Sequence, residues 1–399
     1  MTVAPGPGCD IRRVVLAPSA YHPSLGGVEE LTSKLAQALR DRGITPSVST
    51  MRWPKDLPRT ETVEGIDVHR HLFRAHEGGP RRVAIATATT PIVLTALAAE
   101  LHRAAPDVLH IQCVSQAAWY QHRVAGLLRI PLVVTLQGEL GMDATHVFDR
   151  SARLRTSLRS ILLTADAVTA CSAHTLREAE EWLGQPLGDR ARVVYNGVDV
   201  DEIRRAGPHP HPHPYVFALG RHVPQKGFDV LIDAFARLPA LPDGPVDLVI
   251  AGEGSESDSL RDQADRLGVG PRTHLVGRTS RDETAAWLRG AAAFALPSRH
   301  EPFGIVNLEA MAAGTPVIAS AVGGVPEFVD DDVSGLLVEP GNPGQLAQAL
   351  ASVLTEPALR ERLAAAGSRQ AERFRWDRLV DEYLDVYRDA MARRHRTAT

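Results

Sequence analysis

Short β-branched runs alternate with longer amphipathic segments along this chain, and the alternation starts afresh at residue 215. In the first half RRVVLAPS leads into GGVEELTSKLAQALRDRG, VLHIQC into a second helical segment, and ADAVTACS into HTLREAEEWLG, with PLVVTLQG and ARVVYNG as further strands. After Tyr215 the strands YVFALG, DLVIAGEG, THLVGR, AFALPS and TPVIAS each sit beside a helical segment, and helices are predicted over Phe228–Leu238 and Ser257–Leu267. Strand and helix in strict alternation imply crossover connections and a parallel sheet. A chain of 399 residues also exceeds the size at which one core keeps growing. The fold class is therefore α/β, with two doubly wound, Rossmann-like domains in tandem.

The domains are expected over residues 1–205 and 215–375, with a spacer over 206–214 and a final helix over 376–399. The spacer carries alternating Pro and His from Pro208 to Pro214. Proline lacks the amide donor and pushes its predecessor to an extended conformation, so this segment reads as a stiff polyproline II connector. A metal clasp by His209, His211 and His213 is the alternative, and the threefold turn of such a helix argues against it by spreading alternate imidazoles around the axis. The final segment sets Phe374, Trp376, Leu379, Val380, Tyr383 and Val386 on or near one helical face.

Several function classes are excluded at this stage. A net charge of -4 offers no basic excess for nucleic acid. Cys9, Cys113 and Cys171 are odd in number and widely separated, which suggests neither disulfides nor a zinc finger. The N-terminus has no apolar leader, and no uninterrupted apolar run of about 18 residues is present, so the expectation is a soluble cytoplasmic protein without a membrane span. Arginines 150, 153, 155 and 159 beside Leu154, Leu158, Ile161 and Leu162 form a basic amphipathic stretch that reads as a solvated helix face, with contact to anionic lipid as the alternative. Asp330, Asp331 and Asp332 read as a polar turn, and no metal site is expected.

Open parallel sheets bind ligands beyond the carboxyl ends of their strands. Ser24-Leu25-Gly26-Gly27 precedes a helix, so bare amides at a positive helix end are available to an anion, or the glycines only make a tight turn. Gly220-Arg221 closes a strand and Lys226-Gly227 opens the next helix, giving two cations suited to a diphosphate or, alternatively, two solvated charges. In HEPFGIVNLEAMAAGTPVIAS, Glu301 and Glu309 flank the start of a helix, on the order of 12 Å apart. The amides of Phe303, Gly304 and Ile305 between them face phosphates at a helix N-terminus, while the carboxylates accept from sugar and ribose hydroxyls. The pair would bracket a nucleotide sugar.

GRHVPQKGFDVLIDAF, EPFGIVNLEAMAAGTPVIAS, VVYNGVD and YHPSLGGVEE together resemble the retaining glycosyltransferases of family GT4, which have the GT-B fold. The resemblance implies two domains facing across a cleft, the first binding the acceptor and the second the nucleotide sugar, with the last helix crossing back to the first domain. It implies that Arg221 and Lys226 hold the donor diphosphate, that Gly26 and Gly27 cover it, that Glu309 binds the ribose, and that Glu301 with the backbone of Phe303, Gly304 and Ile305 binds the transferred sugar. Arg278 falls near the base. Many relatives carry a histidine where this chain has Gln137, which cannot carry a proton at neutral pH. The acceptor side is therefore assigned to Gln137, Glu139 and His110.

The implied reaction is transfer of a hexose of glucose or N-acetylglucosamine type from a nucleoside diphosphate, UDP-linked, to a hydroxyl of a small acceptor such as a cyclitol or aminocyclitol, with retention and without a metal or cofactor. Catalytic weight falls on Glu301, Arg221 and Lys226. A lipid or polysaccharide acceptor, a UDP-sugar epimerase of related fold and a non-catalytic sugar-nucleotide sensor are the alternatives.

Overall fold

The computed structural model describes residues 11–24, 26–74, 79–141, 148, 151–242 and 244–398. Cys9, Leu25 and Arg150 lie outside them. The chain divides into two compact units, Met1–Tyr195 with Trp376–Thr399, and Asn196–Arg375. Residues 196–205, expected in the first domain, thus belong to the second unit.

The first unit is built on β1 (Arg13–Pro18), β2 (Thr45–Met51), β3 (Thr60–Val63), β4 (Ile66–His71), β5 (Val108–Gln112), β6 (Leu132–Leu136), β7 (Ala167–Ala170) and β8 (Ala191–Val193). Their order is β3-β4-β2-β1-β5-β6-β7-β8. The β3–β4 pair is antiparallel, and the other pairings are parallel. This hairpin, absent from the sequence reading, turns on Glu64-Gly65, both at positive φ. Every residue of β5, β6 and β7 is buried, as expected of strands covered on both faces.

The helix Trp376–Ala398 packs on β5, β6, β7 and the helix Gly27–Asp41. It seats Tyr383, Tyr387 and Ala390 in full burial, at about 1.5–3 kcal/mol for each large side chain. Arg42 clamps it from outside through Asp381 at 3.0 Å. The helix Pro80–Ala104 is long and apolar enough by composition to cross a membrane, although threonines and Pro91 interrupt its apolar run. Its Ala86, Val93, Leu97 and Leu101 are buried in the first unit, where it packs on β4 and the helix Gln116–Leu128. The arginine stretch lies on the helix Ala152–Thr164, where Arg155 and Arg159 donate to the carbonyls of Phe148 and Leu183.

The second unit contains β9 (Tyr215–Leu219), β10 (Asp247–Ala251), β11 (Thr273–Gly277), β12 (Ala293–Leu296), β13 (Val317–Ser320) and β14 (Leu336–Val338), in the order β11-β10-β9-β12-β13-β14. All pairings are parallel. Between β9 and β12 the winding reverses, which makes the carboxyl ends of these two strands the place where such a sheet opens to a ligand. The three aspartates brace a turn: Asp331 accepts from the Leu337 amide, and Asp332 pairs with Arg362 at 2.7 Å.

Residues 206–214 do not form a free spacer. The His209 ring stacks on Trp287 with centroids 3.5 Å apart, and its amide donates to the Ala286 carbonyl. A bend at Pro212-His213 breaks the extended run before β9 begins. An apolar surface offered by Trp287 and Tyr215 outweighs the stiffness that the proline pattern suggested.

Candidate active site

The carboxyl ends of β9 and β12 are drawn together by a glycine. Gly227 sits at φ 67°, and a Cβ there would lie 2.1 Å from the Pro297 carbonyl oxygen. Only a residue without a side chain fits both the left-handed backbone and that gap. Arg299 locks the same junction: its guanidinium takes Asp229 at 2.7 Å and the Pro224 carbonyl at 2.8 Å, while its amide donates to the Gln225 carbonyl.

This junction brings Lys226 onto Glu301. Lys226 Nζ lies 2.7 Å from Glu301 Oε2, and Ser298 Oγ donates to the same oxygen at 3.0 Å. Glu301 is 5% exposed. Its other carboxylate oxygen makes no hydrogen bond among the described residues. The Glu301 carbonyl accepts from the Gly324 amide at 3.1 Å, and Gly323, at φ 58°, passes so close that a Cβ would overlap that carbonyl.

After Glu301 the chain turns at Gly304, in the left-handed region at φ 91°, into the helix Ile305–Ala313. Phe303 is 2% exposed and packs on Phe328 with ring centroids 4.8 Å apart, so only its backbone is available to a ligand. Glu309 stands one turn inside the helix, half-buried, and its charge acts on Arg281. Burial lowers the Arg281 guanidinium from its ordinary value and Glu309 opposes that shift, while Arg281 also donates to Glu202 at 2.8 Å. Arg221 is exposed just beyond β9 and makes no ion pair among the described residues. Arg278 follows the edge strand β11 and pairs with Glu253 at 3.1 Å, apart from the Lys226–Glu301 pair.

In the first unit Gly26 caps the helix Gly27–Asp41 with extended backbone, and a Cβ added at Gly27 would meet nothing within 4 Å. Nothing among the described residues requires a glycine at 27. Gln137 stands half-buried at the carboxyl end of β6 and gives its amide to Glu139 at 2.8 Å. Glu139 also accepts from the Val114 amide with its other oxygen, and so braces the loops that follow β5 and β6. Burial raises its carboxyl above the ordinary value, and these backbone donors hold it down.

His110 does not line this end of the sheet. It is 0% exposed, with one ring nitrogen 2.8 Å from the Tyr387 hydroxyl and the other 2.6 Å from Thr135 Oγ1. Burial lowers its pKa to about 3. Its assignment to the acceptor side fails because a strand buried on both faces turns this side chain into the core beneath the last helix. Ser298, Arg299, Gly323 and Arg281, which position the two glutamates, were not singled out from sequence. Ser298 and Arg299 were signalled only by adjacency to HEPFG, and Arg281 and Gly323 had no local signal.

Residues 199–370 match the family model for glycosyl transferases group 1, and residues 25–202 match that for Glycosyltransferase Family 4. A protein named D-inositol 3-phosphate glycosyltransferase from Nocardioides sp. is 33% identical over 92% of this chain and 86% of its own length. One of the same name from Thermobifida fusca is 30% identical over 92% and 89%. Among solved structures, a sucrose-phosphate synthase from Thermosynechococcus elongatus has a TM-score of 0.77 at 24% identity, covering 96% of this chain and 99% of its own. HepE from Anabaena, solved with UDP and glucose, has a TM-score of 0.74 at 22% identity, covering 94% and 98%. The architecture is thus GT-B. With both halves matched and relatives of this identity spanning nearly the whole length, the chain belongs to the GT4 glycosyltransferases.

Proposed function

We propose that this glycosyltransferase moves a hexose from a UDP-linked donor to a hydroxyl of a cyclitol-type acceptor, with retention of configuration and without a metal in the transfer step. The observation that carries this reading is the Lys226–Glu301 pair at the switch point of the second sheet, beside the helix that opens at Gly304. In this reading Lys226, Arg221 and the helix amides take the charge that grows on the departing diphosphate. Glu301, held by Ser298 and Lys226, keeps one oxygen for a sugar hydroxyl, and Glu309 serves the ribose. Arg278 stands for the base, and Gly26 and Gly27 for the cover of the diphosphate. A Cβ at Gly27 would meet nothing within 4 Å among the described residues, which leaves room for a ligand against that backbone.

On the acceptor side the reading keeps Gln137, with Glu139 shaping the loop around it. The names of the Nocardioides and Thermobifida relatives support a cyclitol phosphate as acceptor, and the UDP and glucose held by HepE support the donor. Positioning of the two substrates then supplies the rest of the acceleration.

The test is a thermal-shift panel of UDP, GDP, TDP and ADP, followed by incubation of the stabilising nucleotide's hexose with inositol phosphates and NMR of the product anomer. A shift with UDP and an α-linked product from an α-linked donor support the reading; an altered donor sugar in the absence of acceptor assigns an epimerase instead. A lipid or polysaccharide acceptor is favoured by one feature, Ile92, 70% exposed on the apolar helix Pro80–Ala104. Transfer to lipid acceptors in vesicles with none to cyclitols selects it.

A further inference from the structure

At the opposite edge of the second sheet, the amino ends of β9, β10 and β11 gather three histidines around one carboxylate. Asp247, the first residue of β10, has its side chain 6% exposed. A ring nitrogen from each of His211 and His274 and a carboxylate oxygen of Asp247 lie within 4.8 Å of one another. His274 Nε2 stands 3.3 Å from Asp247 Oδ2, and His213 Nδ1 stands 3.2 Å from the same oxygen. His211 Nδ1 lies 3.0 Å from the His213 carbonyl, a contact that orients its ring.

We propose that His211, His274 and Asp247 form a binding site for a divalent transition-metal ion of the zinc type, one that ties the incoming segment 208–214 to the sheet. Two imidazoles and a carboxylate, with a water in the fourth position, are a donor set that zinc and cobalt take in four-coordinate geometry, at about 2.0–2.2 Å from each donor. Donors on such a tetrahedron stand about 3.3 Å apart, which is the spacing of His274 Nε2 from Asp247 Oδ2, and His213 braces that oxygen with a hydrogen bond at 3.2 Å.

A network of hydrogen bonds alone would use the same residues. It fails to account for His274, whose Nε2 is buried and makes no hydrogen bond despite its approach to Asp247. A nitrogen that meets an oxygen at that distance without bonding geometry is placed for a third atom between them. The proline pattern now has a use: the bend at Pro212-His213 turns two histidines of period two toward one carboxylate, which a continuous polyproline II helix would not do.

The site is separate from the transfer chemistry. Asp247 begins β10 and Ala251 ends it, so about 13 Å of strand stands between this cluster and the carboxyl ends that carry the candidate active site. Binding would therefore fix the entry of the chain into the second unit, and the transfer step would not draw on the metal.

The experiment uses the full chain without a histidine tag, stripped with chelator and titrated with Co²⁺. The expected result is one Co²⁺ per chain with the intense visible absorption of a tetrahedral site, displaced by Zn²⁺, and a rise in Tm with Zn²⁺ that EDTA reverses. His274→Gln and Asp247→Asn should weaken binding by about tenfold or more, while His102→Gln, on an outlying helix, binds as the wild type does. Because His274 is 39% exposed, its substitution leaves the fold intact and the loss is readable. No Co²⁺ bound by the wild type, or equal binding by His274→Gln and the wild type, overturns the proposal.

Discussion

Lys226 Nζ and Glu301 Oε2 stand 2.7 Å apart across 75 residues of sequence, at the ends of two adjacent strands where the winding of the sheet reverses. Under the proposed function, the cation that neutralises a leaving diphosphate and the carboxylate that holds the sugar are supplied by this one pair. Their separation follows from Gly227, without which the two strand ends could not approach.

Lys226→Ala should lower kcat by about 100- to 1000-fold, the usual cost of deleting one charge-stabilising donor. It also leaves Glu301 buried without its cation, which should cost about 3 kcal/mol of stability. Urea denaturation and steady-state kinetics read the two effects separately. Arg221→Ala, by contrast, should reduce transfer with little change in stability, because Arg221 has no ion pair among the described residues to lose.

Glu309→Ala should weaken binding of the free nucleoside diphosphate and of the nucleotide sugar by the same factor, since a ribose is common to both. Isothermal titration of the two ligands checks this. A selective loss of the nucleotide sugar alone would move Glu309 away from the ribose.

Gly227→Ala should destabilise the second unit by more than about 2 kcal/mol, through a left-handed backbone and a clash with the Pro297 carbonyl. Gly27→Ala meets nothing among the described residues and should leave Tm unchanged. A lowered affinity for the donor in that variant would then report on the ligand and not on the fold. Differential scanning calorimetry with donor titration separates the cases.

The pH dependence of stability should carry the signature of His110. Its folded pKa of about 3 lies below the ordinary value near 6.5, so between these limits the unfolded chain binds one more proton than the folded one. Stability from this residue is fully present above pH 6.5 and falls as the pH drops toward 3, by about 1.4 kcal/mol per unit. His110→Gln should flatten the denaturation midpoint against pH over pH 4–6 relative to wild type. Equal slopes for the two proteins would contradict the buried, neutral state.

The second half of the site was legible because its signals are local. Glycines with positive φ, a lysine before Gly227 and two glutamates around Gly304 all lie within short motifs at strand ends, where the sheet fixes their direction. The first half was less legible. VLHIQC gives no periodicity to say which way His110 points, because a strand buried on both faces is apolar throughout. The β3–β4 hairpin escaped because TETV and IDVHRH are polar, edge-like runs. The convergence of His211 and His213 on Asp247 depends on a bend and on a residue 34 positions further along, neither of which the proline pattern announces.

The most direct test of the account is Glu301→Gln, measured for UDP affinity and for transfer side by side. The account predicts UDP binding within a few-fold of wild type, because the nucleotide is held by other residues, together with the loss of transfer. Transfer at near the wild-type rate in this variant would contradict the assignment of the Lys226–Glu301 pair to the reacting sugar.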